Sequence, residues 1–297
     1  MKKILKKIFE QLPPVKKLIE ERDAYIKFAP PGHFYSPIPS IEDVNNINCG
    51  KLPEFIPGIE LNSDKQLKLL DEFYKYYIEL PFTDNKSSKL RYFYLNPSYS
   101  YSDAIILHCM IRHLKPKMLI EVGSGYSSCV TLDTNEIFFD NKIRCKFIDP
   151  YPDLLKSLIK PEDNAKIEII GKKLQEVPLE VFKELKAQDI LFIDSTHVSK
   201  LNSDVNYLIH EIFPILNSGV YIHIHDVVYP FEYPKEWFLE GRAWNEQYIL
   251  RAFLEFNQKF EIVFFNTYVE YLFKDKIINK FPLLFKNTGG SIWIKKI

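Results

Sequence analysis

Five short apolar runs dominate the chain between residues 117 and 225. They are Lys117–Val122, Ile143–Asp149, Ile167–Ile170, Asp189–Asp194 and Gly219–His225, and helix-like stretches of ten or more residues fill most of the gaps between them. Short continuous apolar strands separated by helices must be parallel and covered on both faces, because a parallel connection has to cross over the sheet. The pattern therefore predicts an α/β sheet. Two further runs, 260–266 and 291–296, lack a long amphipathic helix between them and are free to pair antiparallel.

Upstream, apolar residues at helical spacing predict a helix from Ser63 through Tyr77 and a second from about Ser102 to His113. Residues 28–62, with six prolines, read as an extended irregular segment. Residues 1–27 carry eight basic and four acidic side chains, so a +4 segment precedes a −4 remainder in a chain of zero net charge. Its apolar spacing fits either a short amphipathic helix on an anionic membrane face or a solvated tail. The expected division is thus a basic segment 1–27, an extension 28–102 and an α/β domain 103–297. The neutral total argues against nucleic-acid binding. Cys49, Cys109, Cys129 and Cys145 form no C-x-x-C pair, and no uninterrupted apolar stretch resembles a secretion signal or a membrane span. A reducing cytoplasm is the expected compartment, with any membrane contact peripheral and through 1–27.

Glycine is scarce, at 10 in 297 residues, about half the usual share. Yet Gly123 and Gly125 stand together in Glu121-Val122-Gly123-Ser124-Gly125, directly after the first strand and before a helix. A tight strand-to-helix turn of this kind exposes backbone N–H groups to a ligand outside the strand ends. The second strand ends in Asp149, a carboxylate able to accept from both hydroxyls of a ribose. A third glycine of the dinucleotide fingerprint would fall at Ser128, which disfavours NAD and FAD.

On these residues the chain resembles class I S-adenosylmethionine-dependent methyltransferases over about 103–297. The resemblance implies a doubly wound, mostly parallel seven-stranded Rossmann-like sheet whose seventh strand, 291–296, is reversed. It implies Glu121 near the methionine amino group, Gly123, Ser124 and Gly125 along the cofactor floor, Asp149 on the ribose, Leu174 and Gln175 at the adenine edge, and Asp194 beside the cofactor. Three further stretches, Asp103-Ala104 with Met110–Leu114, Asp189–His197, and Ile224–Val227 with Tyr229–Pro234, resemble a bacterial branch linked to surface-polysaccharide and small-molecule O-methylation. The acceptor is then a glycan or small molecule.

At the fourth strand end, Asp194 matches the metal-binding Asp of catechol-type O-methyltransferases, while His197 occupies the position of their catalytic Lys. An imidazole with an ordinary pKa of ~6.5 suits a base that receives the proton of an attacking hydroxyl. At the fifth strand end, His225-Asp226 replaces an Asp-Asn pair. Asp194 with Asp226 could hold Mg²⁺ or another divalent metal, or no metal at all. His225, Tyr229 and Trp244 are candidate acceptor contacts. Three other readings stay open: a nicotinamide-dependent oxidoreductase, a metal-dependent hydrolase or oxygenase built on His197, His225 and Asp226, and a non-catalytic binding protein.

Overall fold

The computed structural model describes residues 9–26, 28–47 and 50–297, with side chains omitted for 22–26. The start of the basic segment, residues 1–8, and Cys49 lie outside the described residues. Two compact units emerge. One comprises the described residues up to Gly50 together with Pro234–Ala243, and the other Lys51–Tyr233 with Trp244–Ile297.

In the smaller unit a helix spans Pro13–Ile26. Proline suits the first helical turn, where its missing N–H has no partner to lose. Phe9, Leu12 and Leu18 are exposed. A short helix, Ile41–Asn45, is closed by a capping box in which the Ser40 hydroxyl accepts from Asp43 N and Asp43 accepts from Ser40 N. Arg242 lies over the Trp237 ring at 5.0 Å.

The larger unit is built on seven strands: β1 Met118–Val122, β2 Arg144–Ile148, β3 Ile167–Ile170, β4 Ile190–Ile193, β5 Tyr221–His225, β6 Phe260–Phe265 and β7 Ser291–Lys296. Their order is β3-β2-β1-β4-β5-β7-β6. The first five are parallel, and β7 runs antiparallel to both β5 and β6. Burial follows this order: β1 and β4, at the centre, are buried at every position, whereas β3 at the edge has no buried residue. The expected strand pair 260–266 and 291–296 thus forms, with β7 inserted between β5 and β6.

The helix Tyr101–Leu114 is buried on nearly all sides, which an amphipathic surface helix is not. It packs against both Ser63–Tyr77 and Tyr126–Phe139. Residues 51–102, set apart in sequence as an extension, are therefore part of the sheet unit. Gln66 ties them to it by donating to Leu61 O and accepting from Phe265 N. Cys109, Cys129 and Cys145 are buried free thiols, small apolar residues of the core. Among the described residues no helix is long and apolar enough to cross a membrane.

Candidate active site

Gly123 follows β1 with φ +81°, and a Cβ there would stand 1.8 Å from the carbonyl oxygen of Asp194. Glycine is required because β4 passes too close for any side chain. The sequence expectation placed the demand for glycine in a cofactor; the structure places it, at this position, in the fold itself. At Gly125 a Cβ would meet only the end of the Leu154 side chain, at 3.1 Å.

Beyond these strand ends lies a pocket of about 520 Å³, lined among others by Gly123, Ser124, Asp149, Leu174, Gln175 and Asp194. A cavity of roughly 300–1,000 Å³ is the usual size for a small-molecule or cofactor site. Asp149 is held in place: its Oδ2 accepts from Ser124 N at 3.1 Å and Ser124 Oγ at 2.8 Å, and Oδ1 accepts from Tyr151 N at 2.8 Å. A carboxylate has about four acceptor sites, so capacity remains for ligand hydroxyls. Gln175 Nε2 donates to Asn202 O at 2.7 Å, joining the pocket's far wall to the loop after β4.

Glu121 lies beneath the turn, fully buried, and does not line the pocket. Its Oε1 accepts from Ser127 Oγ at 2.5 Å, and Oε2 has no hydrogen-bond partner. Burial pushes this carboxyl up to about 8, against the hydrogen bonds from Ser127 and Ser128.

Across the pocket, β4 and β5 deliver Asp194, His197, His225 and Asp226 to one place. His197 Nε2 is 3.3 Å from Asp194 Oδ1 and 3.4 Å from Asp226 Oδ2. His225 Nδ1 is 3.4 Å from Asp194 Oδ1 and 3.7 Å from Asp226 Oδ2. Asp194, His197 and Asp226 offer ligand atoms all within 4.8 Å of one another. His197 and Asp226 both have left-handed backbones, with φ of 59° and 55°. Such conformations cost roughly 1–2 kcal/mol in an L-residue, and here the surrounding hydrogen bonds hold them. The His197 carbonyl accepts from both Asn245 N and Glu246 N at 3.1 Å, and Val227 N donates to Gly290 O at 2.9 Å.

Burial opposes charge on both imidazoles, yet the carboxylates around them prevail. His197 is pushed up to about 10, chiefly by Asp194 and Glu246, and His225 well above the ordinary range by Asp226 and Asp194. Burial would raise Asp194, but His225 and His197 hold it well below the carboxylate range. His223, the other histidine of β5, is different. It is fully buried, stacked on Phe192 at 4.0 Å with neither ring nitrogen hydrogen-bonded, and burial pushes it well down.

Two acids behind the histidines carried no role in the sequence reading. Glu246 Oε2 lies 2.9 Å from His197 Nδ1. Asp103 Oδ2 lies 3.6 Å from His225 Nε2, and its carboxylate accepts from Gly290 N, Ser291 Oγ and Asn266 Nδ2. Neither has a local spacing signal, since each is far in sequence from the histidine that it faces.

The expected acceptor contacts divide. The half-buried Trp244 ring is 4.5 Å from His197, where it can form a wall. Tyr229 is a correction. Its ring packs against Phe265 and Tyr268, its hydroxyl donates to Pro53 O, and it is 2% exposed, so it presents nothing to an acceptor. Its aromatic neighbours made it look like a loop contact, but the same apolar character buries it.

Solved structures with similar outlines include the O-methyltransferase TomG of Streptomyces achromogenes in complex with SAM, at 13% identity and TM-score 0.41, covering 80% of this chain and 91% of that one. Another is the SAH-bound methyltransferase PaMTH1 of Podospora anserina, at 15% identity and TM-score 0.41, covering 83% and 100%. Residues 120–227, which hold the glycine turn and both histidine-bearing strand ends, match a family model described as a methyltransferase domain. A protein of Archaeoglobus fulgidus, itself described as uncharacterized, is 37% identical over 168 residues, which is 54% of this chain and 75% of the archaeal one. The chain belongs with that protein to one family, and what it carries at the centre of its sheet is a methyltransferase domain.

Proposed function

We propose that the protein transfers the methyl group of S-adenosylmethionine to a hydroxyl oxygen of a sugar or small molecule. The observation that supports this reading is the pocket itself, with Asp149 on one wall and Asp194, joined to two imidazoles, on the other. Asp149, oriented by Ser124, accepts from the ribose hydroxyls. Leu174 and Gln175 border the base, while Glu121, buried beneath the turn, braces the start of the following helix through Ser127. Gly123 and Gly125 keep the turn low.

The acceptor approaches from the side of His197 and Trp244. The chain's main contribution is to hold oxygen, methyl carbon and sulfur in line. With Nδ1 bonded to Glu246, Nε2 of His197 is the atom turned to the site, and it receives the acceptor's proton. Asp194 and Asp226 are suited by charge and spacing to hold a divalent cation. When bound, such a cation offsets the carboxylate charges that keep His197 protonated and acidifies an acceptor hydroxyl.

Calorimetry with S-adenosylmethionine, S-adenosylhomocysteine and NAD is the first test. The two sulfur ligands should bind, and Asp149→Ala should reduce their affinity by about 100-fold, as expected for two lost hydrogen bonds to a charged group. Binding of NAD alone would sink the reading. Transfer of labelled methyl to a panel of hydroxylated sugars and small molecules then addresses the acceptor.

A further inference from the structure

His225 Nδ1 is a buried nitrogen with no hydrogen-bond partner, on a residue only 6% exposed. It nevertheless lies 3.4 Å from Asp194 Oδ1 and 3.7 Å from Asp226 Oδ2. These separations decide what the contact is. A charge-assisted N–H···O bond closes to about 2.7–2.9 Å, as His197 Nδ1 does on Glu246 at 2.9 Å. Donor atoms around a single ion with bonds of about 2.0–2.2 Å stand roughly 3–3.5 Å apart. The two separations from His225 Nδ1, 3.4 and 3.7 Å, lie nearer the second pattern than the first. On its other side the His225 ring has the Asp103 carboxylate 3.6 Å from Nε2, and Asp103 is itself fixed by Gly290, Ser291 and Asn266. A carboxylate behind a histidine is the usual support of a metal-binding imidazole, setting its tautomer and direction.

The geometry points to His225 as a metal ligand that completes an Asp194–His225–Asp226 set selective for a divalent transition metal over Mg²⁺. This deepens the metal part of the reading above and reassigns His225, expected from sequence to touch the acceptor. An all-oxygen set with retained waters suits Mg²⁺, whereas an imidazole directed at the ion suits manganese, iron, cobalt or zinc. His197 Nε2, 3.3 and 3.4 Å from the same two carboxylate oxygens and backed at Nδ1 by Glu246, faces the same ion, so the site presents two imidazoles.

The test uses the full chain, stripped with a chelator and titrated with CoCl₂ or MgCl₂ alone, by calorimetry and by the visible spectrum of the cobalt adduct. We expect one Co²⁺ per chain, with nitrogen-coordinated ligand-field bands and an affinity at least 100-fold above that for Mg²⁺. His225→Ala should lose at least tenfold in Co²⁺ affinity and change the spectrum. His225→Asp, which exchanges this nitrogen for oxygen, should narrow the Co²⁺ to Mg²⁺ ratio at least tenfold and keeps the test decisive should the alanine variant fail to fold. Equal affinity of the native chain for the two ions, or a cobalt spectrum unaltered in either His225 variant, overturns the assignment. S-adenosylhomocysteine binding is measured on the same samples. Its absence alongside selective Co²⁺ uptake would defeat the methyl-transfer reading and leave the metal assignment standing.

Discussion

The sheet unit contains two buried clusters of charge, built on opposite terms. Around Arg91 every separation is short. Nε reaches Asp163 Oδ2 at 2.7 Å, Nη1 reaches Asp133 Oδ1 at 2.8 Å and Nη2 reaches Glu136 Oε2 at 2.7 Å, while Asp133 also accepts from the backbone of Arg91 and Tyr92. Around Asp194 the corresponding separations to the two imidazoles are 3.3 and 3.4 Å. The first cluster is closed and finished, a rivet between the loop before Tyr92 and the helix Tyr126–Phe139. The second is held open by backbone and by acids behind it. Buried charge alone therefore says little about function; whether the donors have closed on each other says more.

The largest test of the contrast is Arg91→Ala. Removing the cation strands Asp133 and Asp163 without water, and a loss of about 3–5 kcal/mol in unfolding free energy should follow, read from denaturant midpoints. A loss below about 1 kcal/mol would erase the distinction drawn here. Next in size is His197→Ala, expected to lower turnover by at least about 100-fold while S-adenosylhomocysteine affinity is retained. Full activity on a true acceptor would remove the base assignment. Asp226→Asn comes third. Burial raises this carboxyl despite two histidines nearby, so in metal-free protein the amide should be neutral or stabilising by up to about 1 kcal/mol. A destabilisation comparable to Arg91→Ala would show the second cluster to be a closed ion pair after all.

The last test varies pH and concerns Glu121, pushed up to about 8. In the unfolded chain it ionises from about 4.3, so native stability falls as pH rises between these values and is level above about 8. Glu121→Gln lacks this slope. It should match the native chain near pH 4 and exceed it by several kcal/mol, up to about 5, above pH 8, seen as a difference in thermal midpoint that grows with pH. A constant offset would mean that Glu121 does not carry the buried charge.

Much of the fold was legible because periodicity records burial. The strand runs and the helix Ser63–Tyr77 stand where apolar spacing put them, and the lack of a long amphipathic helix between 260–266 and 291–296, where only short helices form, foretold the antiparallel pair. Asp149, Asp194, His197 and Asp226 were findable because each ends, or closely follows, a strand whose end must face the ligand. Glu246 and Asp103 were not, since the partnerships that give them meaning join residues 49 and 122 positions apart, as subtraction from His197 and His225 shows. Tyr229 misled because an aromatic residue reads alike whether it is to face a ligand or a core. Gly123 was found for an incomplete reason: sequence shows that a side chain is unwelcome, but not that the Asp194 carbonyl is what excludes it.

The insertion of β7 between β5 and β6 also sets an order in time. Gly290 and Ser291, at the start of β7, anchor the Asp103 carboxylate that backs His225, and Gly290 ties down the turn after Asp226. During synthesis the other six strands emerge first, and the ends of β4 and β5 exist before their support does. Non-local closure of this kind comes late in folding. A nascent or prematurely ended chain can therefore carry the glycine turn and Asp149 and still lack a finished reaction centre, so that chemistry waits on the last strand of the sheet.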